Sequence, residues 1–355
     1  MIGLQVTDLG VSSFAQGLTQ QFVNQLQEQI NASVLGVANT LEWMLFYGNA
    51  TADSYQFNGL ETYINAGATT KLAIGNGGSN YNIDGAAVTL SHLDAMIDKA
   101  RSFRGASADK WMFVLSQPLI SRISALQTRV TRTVSSYKME GGFEMETYRG
   151  IPLMPTQLFT PLSTSTSPTL GSSATAGGSV ADGTWYYAIS SVTLNGEQKA
   201  SASKSQATGS GNNTVALTWT ADAEAKLYKI WRGTTSTVAD MSLLAVIPAL
   251  TYDANGNITG AVASYSDTGT VTVNSNVQPL TSTDEIIALI DVTEGERGNR
   301  MLGGVSPLGE KLDSYMSYVP LATTNGSYKF MLEGFLAYRV TYPECNIIAR
   351  GARAA

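Results

Sequence analysis

Apolar residues recur at every third or fourth position between residues 14 and 44. They are Phe14, Leu18, Phe22, Leu26, Ile30, Val34, Val37, Leu41 and Met44. This spacing places them along one face of an α-helix, whose period is about 3.6 residues. The pattern therefore predicts one long helix over residues 14–44.

The polar face of this helix carries amides instead of charges. Its residues include Gln16, Gln20, Gln21, Gln25, Gln27 and Gln29. Glu28 is the only charged residue between Leu9 and Leu41, although a helix in free contact with water usually carries pairs of Glu and Lys. Two explanations stay open: neighbouring chains cover this face, or the chain has a general compositional bias toward uncharged residues.

Shorter elements of both kinds follow the long helix. Helix-start signals, apolar runs and turn residues predict helices over residues 93–103 and from Ser116 through Leu126, and strands over 110–115, 143–148 and 151–154. The last two strands are separated by Arg149 and Gly150. Helices, a strand and a hairpin in this order indicate the α+β class.

The composition changes at about residue 163. Residues 165–278 contain 33 Ser or Thr among 114 positions, and their apolar residues alternate with polar ones, as in Trp185, Tyr187 and Ile189. Further alternating runs cover 215–219, 243–247 and 271–273, and a turn at Asn195 and Gly196 separates two strands. Short strands at this spacing predict an all-β sandwich. After it, strands are expected at 285–292 and 329–342, with a short polar segment over 308–318 between them.

Charged residues make up only 14% of the chain, and the formal net charge is −6. Because acidic and basic residues are spread evenly, no segment forms the basic patch that grips nucleic acid without regard to sequence. Sparse charge suits a protein whose surface is largely covered by contacts. The first residues lack the basic and apolar regions of an export signal, and no apolar run is long enough to cross a membrane. We therefore expect a soluble protein that is not secreted.

The sequence offers little material for catalysis. His92 is the only histidine, and Ser91 before it with Asp94 after it resemble a helix start, so a first-turn surface histidine is favoured over a catalytic one. Cys345 is the only cysteine and lies in an apolar stretch, where a buried, inert thiol is expected. One His and one Cys exclude His-rich and Cys-based zinc sites. We predict no catalytic, cofactor-binding or metal-binding residues, and no cofactor.

Several short motifs resemble known sites without completing them. The glycine cluster at 75–78 lacks the spacing of a nucleotide loop, Ser201 and Lys204 lack the partners of a Ser-x-x-Lys nucleophile, and the loop from Asp253 lacks the glycine and glutamate of a calcium loop. Paired carboxylates at Glu144 and Glu146, or at Glu294 and Glu296, share a strand face without an aromatic cleft beside them. Turns and solvated edges are the expected roles.

Placed in order, the elements resemble the major capsid protein of tailed bacteriophages, with its Hong Kong 97-like fold. Residues 40–49 (TLEWMLFYGN) look like the end of the family's long spine helix, and 57–60 (FNGL) like the Gly-Leu segment after it. Residues 90–154, with YRGIP at 148–152, are similar to the family's peripheral and axial core. Residues 334–348, with GFLAYRV and NII, resemble its closing strands. The segments WYYAI at 185–189, NGE at 195–197 and AKLYKIWR at 225–232 look like a fibronectin type III or immunoglobulin-like module.

The resemblance implies three parts. Residues 1–163 and 280–355 would form a capsid fold, and residues 164–279 an inserted immunoglobulin-like β-sandwich that is separable from it. The implied function is that of a major capsid subunit, a structural protein and not an enzyme, that self-assembles into the icosahedral head of a tailed phage. The sandwich would decorate the outer surface, reinforcing contacts with neighbouring subunits or adhering weakly to host-cell glycans.

The implied partners are other copies of the chain, arranged as hexamers and pentamers, together with scaffolding, portal or decoration proteins. Packaged DNA would be touched only weakly, and no membrane is involved. The implied location is the virion, after assembly in the host bacterial cytoplasm. Alternatives are a cellular nanocompartment shell of the same fold, and a carbohydrate-active enzyme or binding protein that carries a fibronectin-like module. An adhesin would need an export signal.

The N-terminus departs from the family pattern. An N-terminal arm and the ascending half of an extended loop normally precede the spine helix, whereas only twelve residues precede Ser13. Ile2, Leu4 and Val6 alternate as a strand does, which fits the descending half of that loop. Either the sequence begins inside a longer protein, or this branch of the family has a short N-terminal part.

Overall fold

The computed structural model contains four α-helices and twenty-one strands in the part of the chain that it describes. The described residues are 2–12, 25–54, 56–67, 80–104, 110–131, 136–138, 144–160, 170–209, 211, 213–253, 257–275, 277–281, 284–293, 299–303, 317–324, 327–340 and 343–354. By its internal contacts the chain divides into two units. The first comprises residues 1–59 and 300–340, and the second comprises residues 60–299 and 341–355.

The element bounds follow the chain. The helices are α1 Gln25–Tyr47, α2 Leu60–Gly67, α3 Leu90–Arg104 and α4 Gln117–Thr131. The strands are β1 Ile2–Ser12, β2 Asn80–Asn82, β3 Trp111–Leu115, β4 Ser136–Lys138, β5 Glu144–Tyr148, β6 Ile151–Pro155, β7 Leu170–Thr175, β8 Gly183–Thr193, β9 Gly196–Glu197, β10 Lys204–Thr208, β11 Thr214–Trp219, β12 Ala225–Gly233, β13 Ser242–Pro248, β14 Leu250–Tyr252, β15 Ile258–Ala261, β16 Ser264–Asp267, β17 Glu285–Asp291, β18 Arg300–Gly303, β19 Ser317–Thr324, β20 Ser327–Arg339 and β21 Ile347–Ala352. The mixture is α+β and consists mostly of strands.

The first unit combines helix α1 with an antiparallel sheet. Strand β20 lies between β1 on one side and β18 and β19 on the other. The C-terminal part of α1 buries Trp43, Phe46 and Tyr47, and the ring of Phe46 meets that of Tyr47 edge-on at 4.7 Å. The strand expected at the N-terminus is therefore present, as β1. Its assignment to an extended loop stays a prediction.

The long helix predicted over residues 14–44 is described from Gln25 onward, and its expected start at Phe14 lies outside the described residues. Val37 and Met44, two of its predicted core positions, are buried, whereas Val34 is exposed. On the polar face Gln27 is exposed and Gln29 is half-buried. Whether neighbouring chains cover this face stays a prediction.

The centre of the second unit is a seven-stranded mixed sheet in the order β2, β21, β17, β3, β6, β5, β4. Strands β2 and β21 are parallel, as are β3 and β6, while the other neighbouring pairs are antiparallel. One face of this sheet packs against α3 and α4. Its core contains Met96 and Ile97 from α3, Ile123 from α4, and Phe113 and Leu289 from the sheet.

Strands β7 to β16, within residues 170–267, form an all-antiparallel group that we call the β module. Besides a two-stranded sheet of β14 and β15, it has two larger sheets: one has the order β10, β8, β12, β13 with β9 beside β8, and the other has the order β16, β11, β7. Tyr187, Leu217 and Tyr228 from these two sheets share one core. The remaining strands of the second unit, with α2, α3 and α4, are called the α/β part. The assignment of the module as immunoglobulin-like, and its boundaries at 164 and 279, stay predictions.

The sequence predicts two tight turns between strands, and only the first of them lies at the predicted position. Arg149 and Gly150 connect β5 and β6, and both have positive φ angles, 50° and 81°, as a two-residue type I′ turn requires. The sequence places the second turn at Asn195 and Gly196. In the structure Thr193 pairs with Gly196, so the turn residues are Leu194 and Asn195.

The glycine that suggested this turn has a different structural role. The φ of Gly196 is 121°, and a Cβ atom at this position would lie 2.2 Å from the carbonyl oxygen of Leu158. Gly196 is thus needed for a close approach of backbone, not for the turn itself. The prediction of a strand at 271–273 is also wrong: these residues form no strand, the adjacent Asn274 makes a single bridge with Leu243, and Val271 is exposed.

We predict opposite effects for two glycine substitutions in the first unit. Gly36 lies inside α1, and a methyl group added there would have open space around it, so Gly36→Ala should raise the free energy of unfolding by about 1 kcal/mol through helix propensity. A Cβ at Gly59 would lie 2.5 Å from the carbonyl oxygen of Met44 and 2.7 Å from that of Phe46. Gly59→Ala should therefore lower it by about 2 kcal/mol, because backbone must move.

Urea unfolding followed by circular dichroism measures both glycine variants against the unsubstituted protein. Gly36→Ala also serves as the control for the loss of a glycine in itself. Equal effects of the two substitutions would contradict the close packing described at Gly59.

Candidate functional site: a buried ring of four charges

Four charged side chains meet inside the second unit. Glu61 lies in the first turn of α2, Glu197 at the end of β9, Lys229 in the middle of β12, and Arg350 in β21. Their exposed fractions are 5%, 3%, 1% and 2%. In a chain this poor in charge, four buried ionic groups in one place are a notable concentration, and we call them the charge ring.

The charge ring is closed by hydrogen bonds between neighbours of opposite charge. The Nζ atom of Lys229 donates to both carboxylate oxygens of Glu61 at 2.7 Å, and to Oε2 of Glu197 at 2.7 Å. The Nη1 atom of Arg350 donates to Oε1 of Glu61 at 3.0 Å, and its Nη2 atom to Oε1 of Glu197 at 2.6 Å. Each acid thus contacts both bases, and each base contacts both acids.

Neighbouring groups hold Arg350 in place. Its Nε atom donates to the carbonyl oxygen of Gln278 at 2.8 Å. Its guanidinium lies over the ring of Trp231, 5.8 Å from the centroid, which adds a cation–π attraction. The indole N–H of Trp231 in turn donates to Oγ of Ser190 at 2.9 Å. These contacts fix the orientation of the guanidinium fork.

The alternation of side chains along β12 explains why Lys229 points into the charge ring. Tyr228 and Ile230 point into the core that the two sheets of the module share. Since successive residues of a strand face opposite sides, Lys229 and Trp231 lie on the other face of the sheet. In an isolated sandwich this would be an outer face, but both residues are buried here.

The charges of the ring compensate one another. Two carboxylates and two cations give a net charge of zero, and burial of an unpaired ion would cost several kcal/mol. Burial raises the pKa of Glu197, but the positive charges of Arg350 and Lys229 and their hydrogen bonds outweigh it and hold the pKa below its ordinary value. Glu197 is therefore kept as a carboxylate.

Sequence reasoning missed this ring because its members are far apart along the chain. Glu61 and Arg350 are separated by 289 positions, and Glu197 and Arg350 by 153. No local motif links them. The one hint was a cation inside an apolar run: Lys229 follows Leu227 and Tyr228, and Arg350 follows two isoleucines and an alanine. A cation at such a position needs a buried anion.

A second polar cluster ties the two sheets of the β module together. Asp267 in β16 accepts hydrogen bonds from the hydroxyl of Tyr187 in β8 at 2.9 Å and from Nη1 of Arg232 in β12 at 2.7 Å. Burial, with the nearby Asp267 charge, raises the pKa of Tyr187 well above its ordinary range. The hydroxyl therefore stays protonated as a donor, and the cluster is a structural support of the module.

His92 lies in the first turn of α3, as expected, but its helix begins earlier than the sequence suggested. The helix starts at Leu90, so Thr89 and not Ser91 is the capping residue. The backbone N–H of Thr89 donates to Nδ1 of His92 at 3.4 Å, the contact that a third helical residue makes in a capping box. Asp94 instead accepts from the hydroxyl of Tyr148 at 2.5 Å.

The weak motifs do not assemble into a site among the described residues. The Ser201 hydroxyl donates to the carbonyl oxygen of Ala202 at 3.1 Å, while Lys204 is exposed at the start of β10. Asp253 accepts from the backbone N–H of Asn257 at 2.8 Å, in the connection between β14 and β15. Cys345 is buried.

The paired carboxylates have separate surroundings. Glu144 on β5 is exposed, while Glu146 accepts a hydrogen bond from Ser124 of α4. Glu294, Glu296 and the glycine cluster at 75–78 lie outside the described residues. Within the described ranges, no three His, Cys, Asp or Glu residues are grouped as metal ligands, and none of the helices found there has the length and hydropathy to span a membrane.

Comparison with known proteins points to viral and shell-forming proteins. Residues 6–157 match the family model described as SU10 major capsid protein, which spans less than half of the chain. Among solved structures, the holo-SrpI encapsulin complex from Synechococcus elongatus is similar, with a TM-score of 0.50 and 11% identity over 99% of this chain and 74% of that chain. At this identity the likeness is one of fold alone. No curated protein matches the chain. The family match supports a structural role of the capsid type.

We predict that Glu197 makes the stability of the second unit depend on acid pH. Because its folded pKa lies below the ordinary value of 4.5, the unfolded state binds more protons between these two values. Its contribution is therefore present above about pH 4.5 and is lost as the pH falls through the folded pKa. Glu197→Gln should remove this part of the acid dependence and, by leaving excess positive charge buried, cost about 3 kcal/mol at pH 7.

Urea unfolding at a series of pH values between 3 and 7 measures the effect of Glu197→Gln. The matched control is Glu224→Gln, which changes an exposed glutamate of the same module. Parallel pH profiles for Glu197→Gln and the unsubstituted protein would contradict the role assigned to this carboxylate.

Proposed function

We propose that the chain is the major capsid subunit of a tailed bacteriophage, with a Hong Kong 97-like fold interrupted by an immunoglobulin-like module. The observation that carries this proposal is the family match over residues 6–157. It covers the long helix, the α3 to α4 region and the hairpin of β5 and β6, which are the segments whose residues resemble that family. The subunit closes into an icosahedral shell of hexamers and pentamers, and it works by contact and not by catalysis.

The exposed part of α1 supports an assembly role. Between Gln27 and Asn39, Val37 is the only buried residue, and Leu35 has 62% of its surface exposed. The only charged residue in this stretch is Glu28. An uncharged helix surface with protruding apolar residues is suited to burial against neighbouring subunits. Many weak contacts of this kind give a stable closed shell through multiplicity.

The proposed location is the virion, with assembly in the cytoplasm of the host bacterium. In this arrangement the β module decorates the outer surface, where it reinforces contacts between subunits or adheres weakly to host-cell glycans. Scaffolding, portal and decoration proteins are the further partners, and packaged DNA is touched only without specificity. The even spread of charge along the chain fits this limited contact with DNA.

A cellular nanocompartment shell is the second candidate. It is favoured by the likeness in fold to the encapsulin structure, which extends over nearly all of this chain. The two candidates differ in their contents, because a phage head encloses DNA and a nanocompartment encloses protein cargo. Particles that contain this protein should hold DNA that is protected from nuclease if the first candidate is right, and protein cargo without such DNA if the second is right.

We predict that a charge on α1 blocks assembly, whereas the same charge on the β module does not. Leu35→Glu should abolish shell formation, because the charge would be buried without a partner between subunits. Ile258→Glu is the matched control: Ile258 is equally exposed, at 63% against 62% for Leu35, but it lies in β15 of the module. Sedimentation velocity and negative-stain electron microscopy of the expressed protein measure the assembled fraction.

Both variants should keep the circular dichroism spectrum of the folded subunit, since both side chains are exposed in it. Full assembly of the Leu35→Glu variant would contradict a buried interface on α1. Loss of assembly in the Ile258→Glu variant would instead show that β15 of the module lies in a contact between subunits that assembly requires.

A further inference from the structure

The charge ring joins the β module to the α/β part, and each side supplies one acid and one base. Glu197 and Lys229 belong to the module, and they contact each other at 2.7 Å. Glu61 and Arg350 belong to the α/β part, and they contact each other at 3.0 Å. Each side therefore carries a complete ion pair of its own.

Two further contacts cross between the sides. Lys229 of the module reaches Glu61 at 2.7 Å, and Arg350 of the α/β part reaches Glu197 at 2.6 Å. The ring thus consists of two internal pairs linked by two crossing pairs. Signs alternate around it, so every neighbour of a charge has the opposite sign.

This arrangement has a consequence for folding. If either side folds before the other docks, its acid and base neutralise each other, and no lone charge faces the surface. Had one side supplied both acids and the other both bases, each would carry two like charges close together until they met. Self-neutral sides are compatible with independent folding followed by docking.

The alternation also selects one docked arrangement. A rotation or shift of the module that brought Glu197 next to Glu61 would place Lys229 next to Arg350 at the same time. Both contacts would then be repulsive in a buried site, where water screens like charges poorly. Apolar contacts alone, such as those of Trp231, do not discriminate between registers in this way.

We infer that the charge ring is a latch that holds the β module on the α/β part in a single register, each side bringing a self-neutral ion pair. The inference concerns the second unit alone and does not rest on the proposed function. Its expected consequence is that the module and the α/β part behave as one rigid body in the native protein.

Spin-label distances across the two sides test the latch in the full chain. Labels attached at Ala125→Cys in α4 and Ala239→Cys in the module occupy exposed alanines, and Cys345 is buried and stays unlabelled. In the otherwise unsubstituted protein, pulsed electron resonance should give one narrow distance distribution. Hydrogen exchange of β11 in the module and β3 in the α/β part, which carry no residue of the ring, reports separately whether each side remains folded.

Inversion of the module's pair is the decisive variant. Glu197→Lys together with Lys229→Glu keeps the module self-neutral but places like charges opposite Glu61 and Arg350. The distribution should broaden or shift, while the strands that do not touch the ring keep their protection. A narrow distribution at the original distance would overturn the inference.

Rescue and control variants complete the experiment. Inverting the other side as well, with Glu61→Arg and Arg350→Glu, restores alternation and should narrow the distribution again; a distribution as broad as that of the module inversion alone would overturn the latch. The matched control inverts two charges elsewhere on the module, Glu224→Lys with Lys226→Glu, and should leave the distance unchanged.

A variant without the module's ion pair distinguishes two effects: the stability lost by burying an unbalanced charge, and the fixed register that the latch provides. Lys229→Met alone leaves two carboxylates with one cation, whereas Lys229→Met with Glu197→Gln leaves the balanced pair of Glu61 and Arg350. We expect the double variant to unfold at a higher urea concentration than the single one, yet still to show a broadened distance distribution. A double variant less stable than the single variant, or one with the original narrow distance, would contradict the self-neutral latch.

Discussion

Charge burial is the constraint on which the arrangement of the second unit depends. Each of Glu61, Glu197, Lys229 and Arg350 would cost several kcal/mol if it were buried alone, so each must be buried against a partner of opposite charge. Three separate segments must therefore meet at the ring: the first turn of α2, the hairpin of β8 and β9 together with β12, and strand β21. Apolar packing supplies most of the stability of each piece, but the ring decides how the pieces are placed.

The same constraint explains the unusual position of one sheet. The sheet of β10, β8, β12 and β13 is covered on one face by the partner sheet of the module, through Tyr187 and Ile230. Its other face carries Lys229 and Trp231, which are buried as well. A second apolar cluster, with Trp231, Leu243 and Val277, lies on that side. The middle of this sheet is thus covered on both faces, whereas β10 at its edge keeps the exposed polar residues Lys204 and Ser205.

Local elements were predictable from the sequence where short-range chemistry decides them. The hairpin turn at Arg149 and Gly150 has two positive φ angles, and the second is at a glycine, which adopts such angles readily. The start of α4 is marked in the sequence by a proline in its first turn, Pro118. The capping residue of α3 was placed two residues late, because Thr89 and Ser91 are both good capping residues and the sequence does not rank them. The turn beside Gly196 was predicted one residue too late. Its glycine is required because the backbone of Leu158, far away in the sequence, packs closely against it, and not because of the turn.

Long-range features were not predictable for a related reason. The charge ring depends on pairings across 153 to 289 positions, and a single sequence carries no record of which distant residues meet. The absence of charge on the polar face of α1 could be predicted, since this face carries amides such as Gln27 and Asn31. The candidate site therefore emerged from the fold and not from any motif.

The self-neutral pairs also bear on what each part would expose if the other were taken away. Glu61 and Arg350 of the α/β part contact each other at 3.0 Å, and Glu197 and Lys229 of the β module contact each other at 2.7 Å. Removal of the module would therefore leave a solvated ion pair on the α/β part and no charge without a partner. The module could be exchanged for another sheet that carries one acid and one base at this place, without any step that buries a lone charge.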